Sequence, residues 1–296
     1  MEIHQLRYAV AIADEGSFTA AAAAMHVSQS GVSAQVGRLE RELGVTLFDR
    51  GPRSVRPTES GTLLVERMRT VLAALADVHA TAGEVLGLLR GTVRVGAVAG
   101  LGWAPFLDAL EHVHSAHPGL DLSLREGVSS AVQEEVADGR LDVAVVSWSG
   151  EPLAGLASWV AVHERVAVVV GRHHPWASRT SVLPADLLDA EVVCTSRGTG
   201  MRAAYDALMR AEGLPTPVTW EVTLPTTARA LVARGLGVGV LTTSHADLDD
   251  DLVRVEIRSD HTESMLGVVW RPRPDPSPAA AAVLSALRRH LGPDGP

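Results

Sequence analysis

Gln29, Ser30, Ser33 and Ala34 lie within one short stretch, SQSGVSAQVGRL, and their types suit contact with the edges of DNA bases. A Gln amide pairs with adenine, a Ser hydroxyl with a base or a phosphate, and an Ala methyl packs on the methyl of thymine. To act together these side chains must leave one element on one side. Val32, Val36, Leu39 and Leu43 recur at i, i+4, i+7 and i+11. That is a single buried stripe on a helix, and it turns the other four residues outward near the helix start. Ser28 stands at the N-cap, where its hydroxyl can accept from an otherwise unpaired backbone N–H. Ahead of it, Phe18–Ala24 is nearly all alanine, a good helix former whose small side chains let a second helix come close. A short helix, the turn Met25-His26-Val27 and a helix with a slim polar tip meet the requirements for entering a major groove. The same pattern also fits two amphipathic helices of an ordinary bundle.

The flanks can support such a tip. Residues 1–15 read as a helix closed by Gly16 at a left-handed C-cap, with Ser17 as the next N-cap. LFDR-GPRS-VRPT reads as two strands around a Gly-Pro turn, a wing that gathers Arg50, Arg53 and Arg56 into one segment. The formal net charge is −9, so local placement of arginine must supply the phosphate contacts rather than bulk charge. All 26 Lys+Arg residues are arginine, whose planar guanidinium suits phosphate.

From Leu64 onward, Met68, Val71, Leu75, Val78, Ala82, Val85 and Leu89 alternate spacings of four and three, a heptad seam. Pro57 and Thr58 open this helix and Gly91 follows it. Its length, about 30 residues or roughly 45 Å, is too great for a small head domain to cover and predicts pairing with a second copy. The alternative is one helix lying on the domain that follows.

After Thr92 the pattern becomes short valine-rich strands alternating with helices. TVRVGAV, DLSLRE, DVAVVSW, RVAVVVG, EVVCTS, VTWEV, GVGVLTT, LVRVEI and LGVVW are the strands, and residues 103–116, 131–137, 201–211 and 226–233 the helices. This predicts α/β layers with mostly parallel strands. Ligands of open α/β sheets bind at the C-terminal strand ends. The groups offered there are Ala99, Gly100 and Leu101, then Ser129 and Ser130, Ser147 and Trp148, Thr195, Ser196 and Thr199, Thr226, and Thr242. Such hydroxyls are also ordinary N-caps. The apolar loop Ala97-Val98-Ala99, beside Leu101 and Trp103, points to a larger or more apolar ligand than a small carboxylate.

Other chemistry is poorly represented. His112, His114 and His117 do not share one helix face. The single cysteine, Cys194, lies in an apolar strand and excludes an internal disulfide framework. GAVAGLG lacks the spacing of a dinucleotide or phosphate loop, and no G-x-S-x-G or H-E-x-x-H occurs. No cofactor or metal is expected. At 296 residues the chain holds two or three domains. No apolar run approaches the roughly 20 residues of a membrane span, and MEIHQLRYAV lacks a basic segment followed by an apolar one, so a cytoplasmic protein without membrane contact is expected.

Ser17-Phe18 with its alanines, HVSQSGVS, LERELGVTLFDR and PTESG follow in order and without gaps, and in this they resemble the N-terminal domain of LysR-type transcriptional regulators. HPGLDLSLREG, ADGRLDVAVV, HHPWAS and VARGLGVGVL extend the resemblance more weakly along nearly the whole chain. It implies an α/β protein with a winged helix-turn-helix at 1–58, a linker and dimerisation helix at 59–91 and an effector-binding domain at 92–296. That domain would have two subdomains, 92–161 with 267–296 and 162–266, like a periplasmic solute-binding protein. The DNA-contacting set is then Phe18, Thr19, Ser28, Gln29, Ser30, Ser33, Ala34, Arg38, Arg50, Arg53 and Arg56. The partners are an inverted repeat in double-stranded DNA, a small-molecule effector, and further copies in a homodimer or homotetramer, with RNA polymerase as a candidate. A reading of another class is a small-molecule enzyme or binding protein whose N-terminal helices only dimerise it. Gly31 and Gly37 stand where the family more often has better helix formers, at a cost of up to about 1 kcal/mol each.

Overall fold

The computed structural model describes residues 1–50, 55–85, 89–246, 251–273 and 275–292. The chain divides into two compact units, Met1–Gly91 and Thr92–Pro296.

The first unit begins with α1 (Ile3–Glu15), α2 (Phe18–Ala24) and α3 (Gln29–Leu43). Capping sets their limits. Gly16 ends α1 at φ 62 and Gly44 ends α3 at φ 72, both left-handed. Ser17 Oγ accepts the Ala20 N–H at 3.4 Å to start α2. The turn before α3 carries His26 at φ 55, a left-handed residue without the freedom of glycine. Val32, Val36 and Leu39 are at most 1% exposed and join Leu6, Ala9, Ile12, Phe18 and Ala21 in one core. Burying each of the valine, leucine, isoleucine and phenylalanine side chains among them stabilises the unit by about 1.5–3 kcal/mol, an upper estimate. Strands β1 (Phe48–Arg50) and β2 (Val55–Pro57) pair antiparallel, Phe48 opposite Pro57. The Glu40 carboxylate accepts the Leu47 N–H at 2.7 Å and ties this hairpin to α3.

Helix α4 (Glu59–Val85) follows, with Thr58 Oγ1 accepting the Gly61 N–H at 2.9 Å. It packs on the first unit more than the heptad pattern implied. Met68 is 5% exposed and belongs to the head core, Leu64 and Leu72 pack against it, and Arg69 pairs with Asp14 of α1. Val71 and Val78 remain 48% and 66% exposed. Leu75 is partly buried, and the side chains of Ala82 and Val85 lie outside the described residues. Leu89, expected in the seam, instead follows the helix as irregular chain just before the first strand of the second unit. The early seam therefore serves the head, because an amphipathic stripe does not specify its partner.

The second unit is a mixed sheet, not a mostly parallel one, ordered β4-β3-β5-β12-β6-β10-β8-β9. Its strands are β3 (Gly91–Val98), β4 (Leu120–Gly127), β5 (Val143–Trp148), β6 (Ala157–Gly171), β7 (Ser181–Val182), β8 (Val192–Thr195), β9 (Trp220–Val222), β10 (Val238–Thr242), β11 (Leu252–Ile257) and β12 (Glu263–Trp270). β3 with β5, β8 with β10 and β8 with β9 are parallel, as crossover helices require. β6 and β12 run antiparallel to their neighbours because β6 crosses from one half of the sheet to the other. Its residues up to Arg165 pair with β12, and from Val166 onward it pairs with β10 and β11. Helices α5 (Ala104–Ala116), α6 (Ser129–Ala137), α7 (Gly200–Ala211) and α8 (Pro225–Ala233) cover the sheet, and α10 (Pro278–Leu291) packs on α5, after the single turn α9 (Thr243–Ala246). The run Val166 to Val170 is wholly buried, Val168 toward Tyr205 and Leu208 and Val169 toward Ala228 and Val232. Cover on both faces explains why this segment is uninterrupted in its hydrophobicity.

Two glycines separate close packing from idle flexibility. A Cβ on Gly61 would lie 2.0 Å from the Leu47 carbonyl oxygen, whereas one on Gly37 would meet only the Arg41 guanidinium at 3.7 Å. Gly61→Ala should destabilise the first unit by about 1–3 kcal/mol, and Gly37→Ala should stabilise it by about 0.5–1 kcal/mol. Urea unfolding followed by hydrogen exchange in α1 and α3 checks both signs.

Candidate nucleic-acid interface and effector cleft

In the first unit, burying the stripe of α3 leaves Gln29, Ser30, Ala34 and Arg38 exposed together, with Ser33 half-buried and engaged in an interaction of its own. Ser28 Oγ accepts the Gly31 N–H at 3.2 Å and contacts Ser30 Oγ at 3.5 Å. A Cβ on Gly31 would come within 2.9 Å of that same oxygen, so glycine keeps the cap open. The first turn of α3 carries no acidic residue, which leaves the positive end of its dipole available to a phosphate. Thr19 is exposed at the start of α2. Phe18 corrects the expectation: it is 7% exposed and meets Phe48 edge-on with centroids 6.1 Å apart, so its ring serves the core and not a DNA surface. Arg56 is exposed on β2, while Arg53 and the side chain of Arg50 lie outside the described residues.

In the second unit a cavity of about 410 Å³ opens where the strand ends meet. Ala99, Gly100, Leu101, Ser147, Thr195, Thr199, Thr226 and Thr242 line it. Thr199 also caps α7, accepting the Arg202 N–H at 3.2 Å, and its Oγ1 lies 2.7 Å from that of Thr195. Four expected residues are not in the lining. Ser129 is 2% exposed and its Oγ accepts the Ser147 N–H at 3.2 Å. Ser130 instead donates its backbone N–H to the Gly198 carbonyl at 2.9 Å. Ser196 uses its own N–H on Val222 and its carbonyl on Thr199. Trp148 is 5% exposed and packs on Val132 and Val136, because alternate residues of β5 face opposite ways and Ser147 takes the cavity side.

The lining also includes Val162 and Glu164 of β6, Leu266 of β12, Met201 and Arg229, none of which the strand-end rule identified. Glu164 had a sequence signal. It occupies the inward phase of a strand whose neighbours at that phase are Val162, Val166 and Val168. Cys194 lies away from the cavity lining, 0% exposed among Val192, Tyr205 and Leu208. Loss of hydration pushes its thiol up to about 12, with Arg202 pulling weakly the other way, so it stays protonated at neutral pH. Among the described residues there is no group of three or more potential metal ligands, and no helix is long and apolar enough to cross a membrane.

The model of bacterial regulatory helix-turn-helix proteins of the lysR family matches residues 3–62. That of the LysR substrate binding domain matches residues 86–292. The chain is 31% identical over 299 residues to the HTH-type transcriptional regulator YnfL of Escherichia coli (strain K12), covering 97% of this chain and 99% of that protein. It is 30% identical over 243 residues to the hydrogen peroxide-inducible genes activator of Dickeya chrysanthemi, covering 81% and 79% of the two. Among solved structures, a full-length OxyR variant from Pseudomonas aeruginosa gives a TM-score of 0.72 at 27% identity, covering 97% of this chain and 95% of that one. With a capped, polar-tipped helix in one unit and a lined cavity in the other, each falling inside its matched segment, the chain belongs to the LysR family of bacterial transcriptional regulators.

Proposed function

We propose that this regulator works as a cytoplasmic, oligomeric DNA-binding switch. Residues Gln29, Ser30 and Ala34 enter a major groove and read base edges, while Ser28, Thr19, Arg56 and the wing hold phosphates. The observation that carries this is the exposed, uncharged tip of α3 beside Val32, Val36 and Leu39, which are buried on the same helix. Val71 and Val78, exposed apolar residues on the outer part of α4, supply the surface for pairing two copies. Two heads held in this way match two half-sites of an inverted repeat. The cavity of the second unit binds a small effector, and an effector that fits one arrangement of the domain better shifts the population toward it and alters the DNA complex.

The Dickeya relative is named as an activator of hydrogen peroxide-inducible genes; a peroxide response carried by a thiol is not supported for this chain. Reactivity requires a thiolate with access to solvent. Cys194 has neither.

Three outcomes follow. Gln29→Ala should lose about 1–3 kcal/mol of discrimination at one base pair, read by competition gel shifts with single-base operator variants. Arg56→Ala should weaken specific and scrambled DNA alike and lower the salt-dependence slope by about one, read by titrations at several salt concentrations. At pH 8 the native chain should leave Cys194 unreacted toward a chromogenic disulfide reagent and yield it fully after unfolding. Rapid labelling of the native protein would refute the buried-thiol assignment.

A further inference from the structure

Glu164 is 8% exposed, and its Oε1 is buried without a hydrogen-bond partner. Its side chain joins Val162 in the cavity lining, held there by the pleat of β6. Across the ladder it faces Ser264, 0% exposed, whose Oγ is likewise without a partner. The same lining offers apolar surface at Val98, Leu101, Met201 and Leu266, with hydroxyls such as those of Thr195, Thr199 and Thr242 elsewhere in it. Arg229, the other charged residue there, already has an interaction of its own.

A carboxylate withdrawn from water with an unfilled acceptor destabilises a fold, and the cost is offset when a donor arrives, most strongly when that donor is charged. We propose that the cavity takes a compact apolar molecule carrying a protonated amine, the ammonium donating to Glu164 Oε1 and the hydrocarbon lying on Val162, Leu101 and Leu266. A cavity of about 410 Å³ fits one small molecule of this kind. The inference rests on reading the cavity as the effector site and adds to that reading the sign of the ligand's charge. Glu164 would thus select amines over acids, since a carboxylate ligand would bring a second negative charge beside it.

Calorimetric titration of the full chain with phenethylamine, hydrocinnamate and phenethyl alcohol tests the proposal, using an ammonium, a carboxylate and a neutral group on similar bodies. Phenethylamine should bind the most tightly of the three. Glu164→Gln and Glu164→Leu should each weaken it by about tenfold or more, while raising the melting temperature of the ligand-free chain because an unpaired buried charge is gone. Preference for hydrocinnamate, no binding of phenethylamine at millimolar concentration, or unchanged affinity in both variants would overturn it. Gel shifts with and without phenethylamine keep the two readings distinct. Glu164-dependent binding that leaves DNA affinity and bending untouched would uphold the ligand class and remove the cavity's role as effector site.

Discussion

Burial of one side of α3 is the constraint on which the DNA-binding unit depends. Val32, Val36 and Leu39 are sealed against α1 and α2, and a helix so fixed has no freedom to choose which residues it shows to solvent. Gln29, Ser30, Ala34 and Arg38 are outside because the valines and leucine are inside. The alanines of α2 belong to the same solution, since Ala21 and Ala22 are buried where larger side chains would push the two helices apart. The surface that α3 shows to solvent is thus a by-product of its packing.

The second unit uses a related device with the opposite sign. The pleat of β6 places Glu164 in phase with Val162, Val166, Val168 and Val170. An ionisable group at a core position is destabilising unless something compensates it, and a ligand that donates to Glu164 would supply that compensation. Because β6 pairs with β12 in its first half and with β10 and β11 in its second, Glu164 sits beside the point where the strand changes partners. A ligand contacting it therefore touches the element that joins the two halves of the sheet.

Much of this was legible in the sequence wherever period and punctuation agree. The limits of α1, α2 and α3 follow from Gly16, Ser17, Ser28 and the leucine-valine spacing, and the valine strands of the sheet stand out. What escaped did so for physical reasons. The family resemblance puts Phe18 on the DNA side, but the first residue after an N-cap can as well point inward, and here it meets Phe48. Met68 shares one spacing with both a dimer seam and a head core, and periodicity cannot separate the two. The first half of β6 is only partly covered, so its polar and apolar residues blur the strand pattern and leave Glu164 outside it. The antiparallel sense of β6 and β12 is a tertiary fact that single-strand composition does not carry.

Base-methylation interference tests the central claim most directly, on an operator selected by the full-length chain from a random duplex pool. Methyl groups on guanine N7 stand in the major groove and those on adenine N3 in the minor groove. If the tip of α3 enters the major groove, N7 methylation within two symmetric half-sites should block binding, and N3 methylation there should not. Interference confined to adenine N3, or absent from both half-sites, would contradict the account.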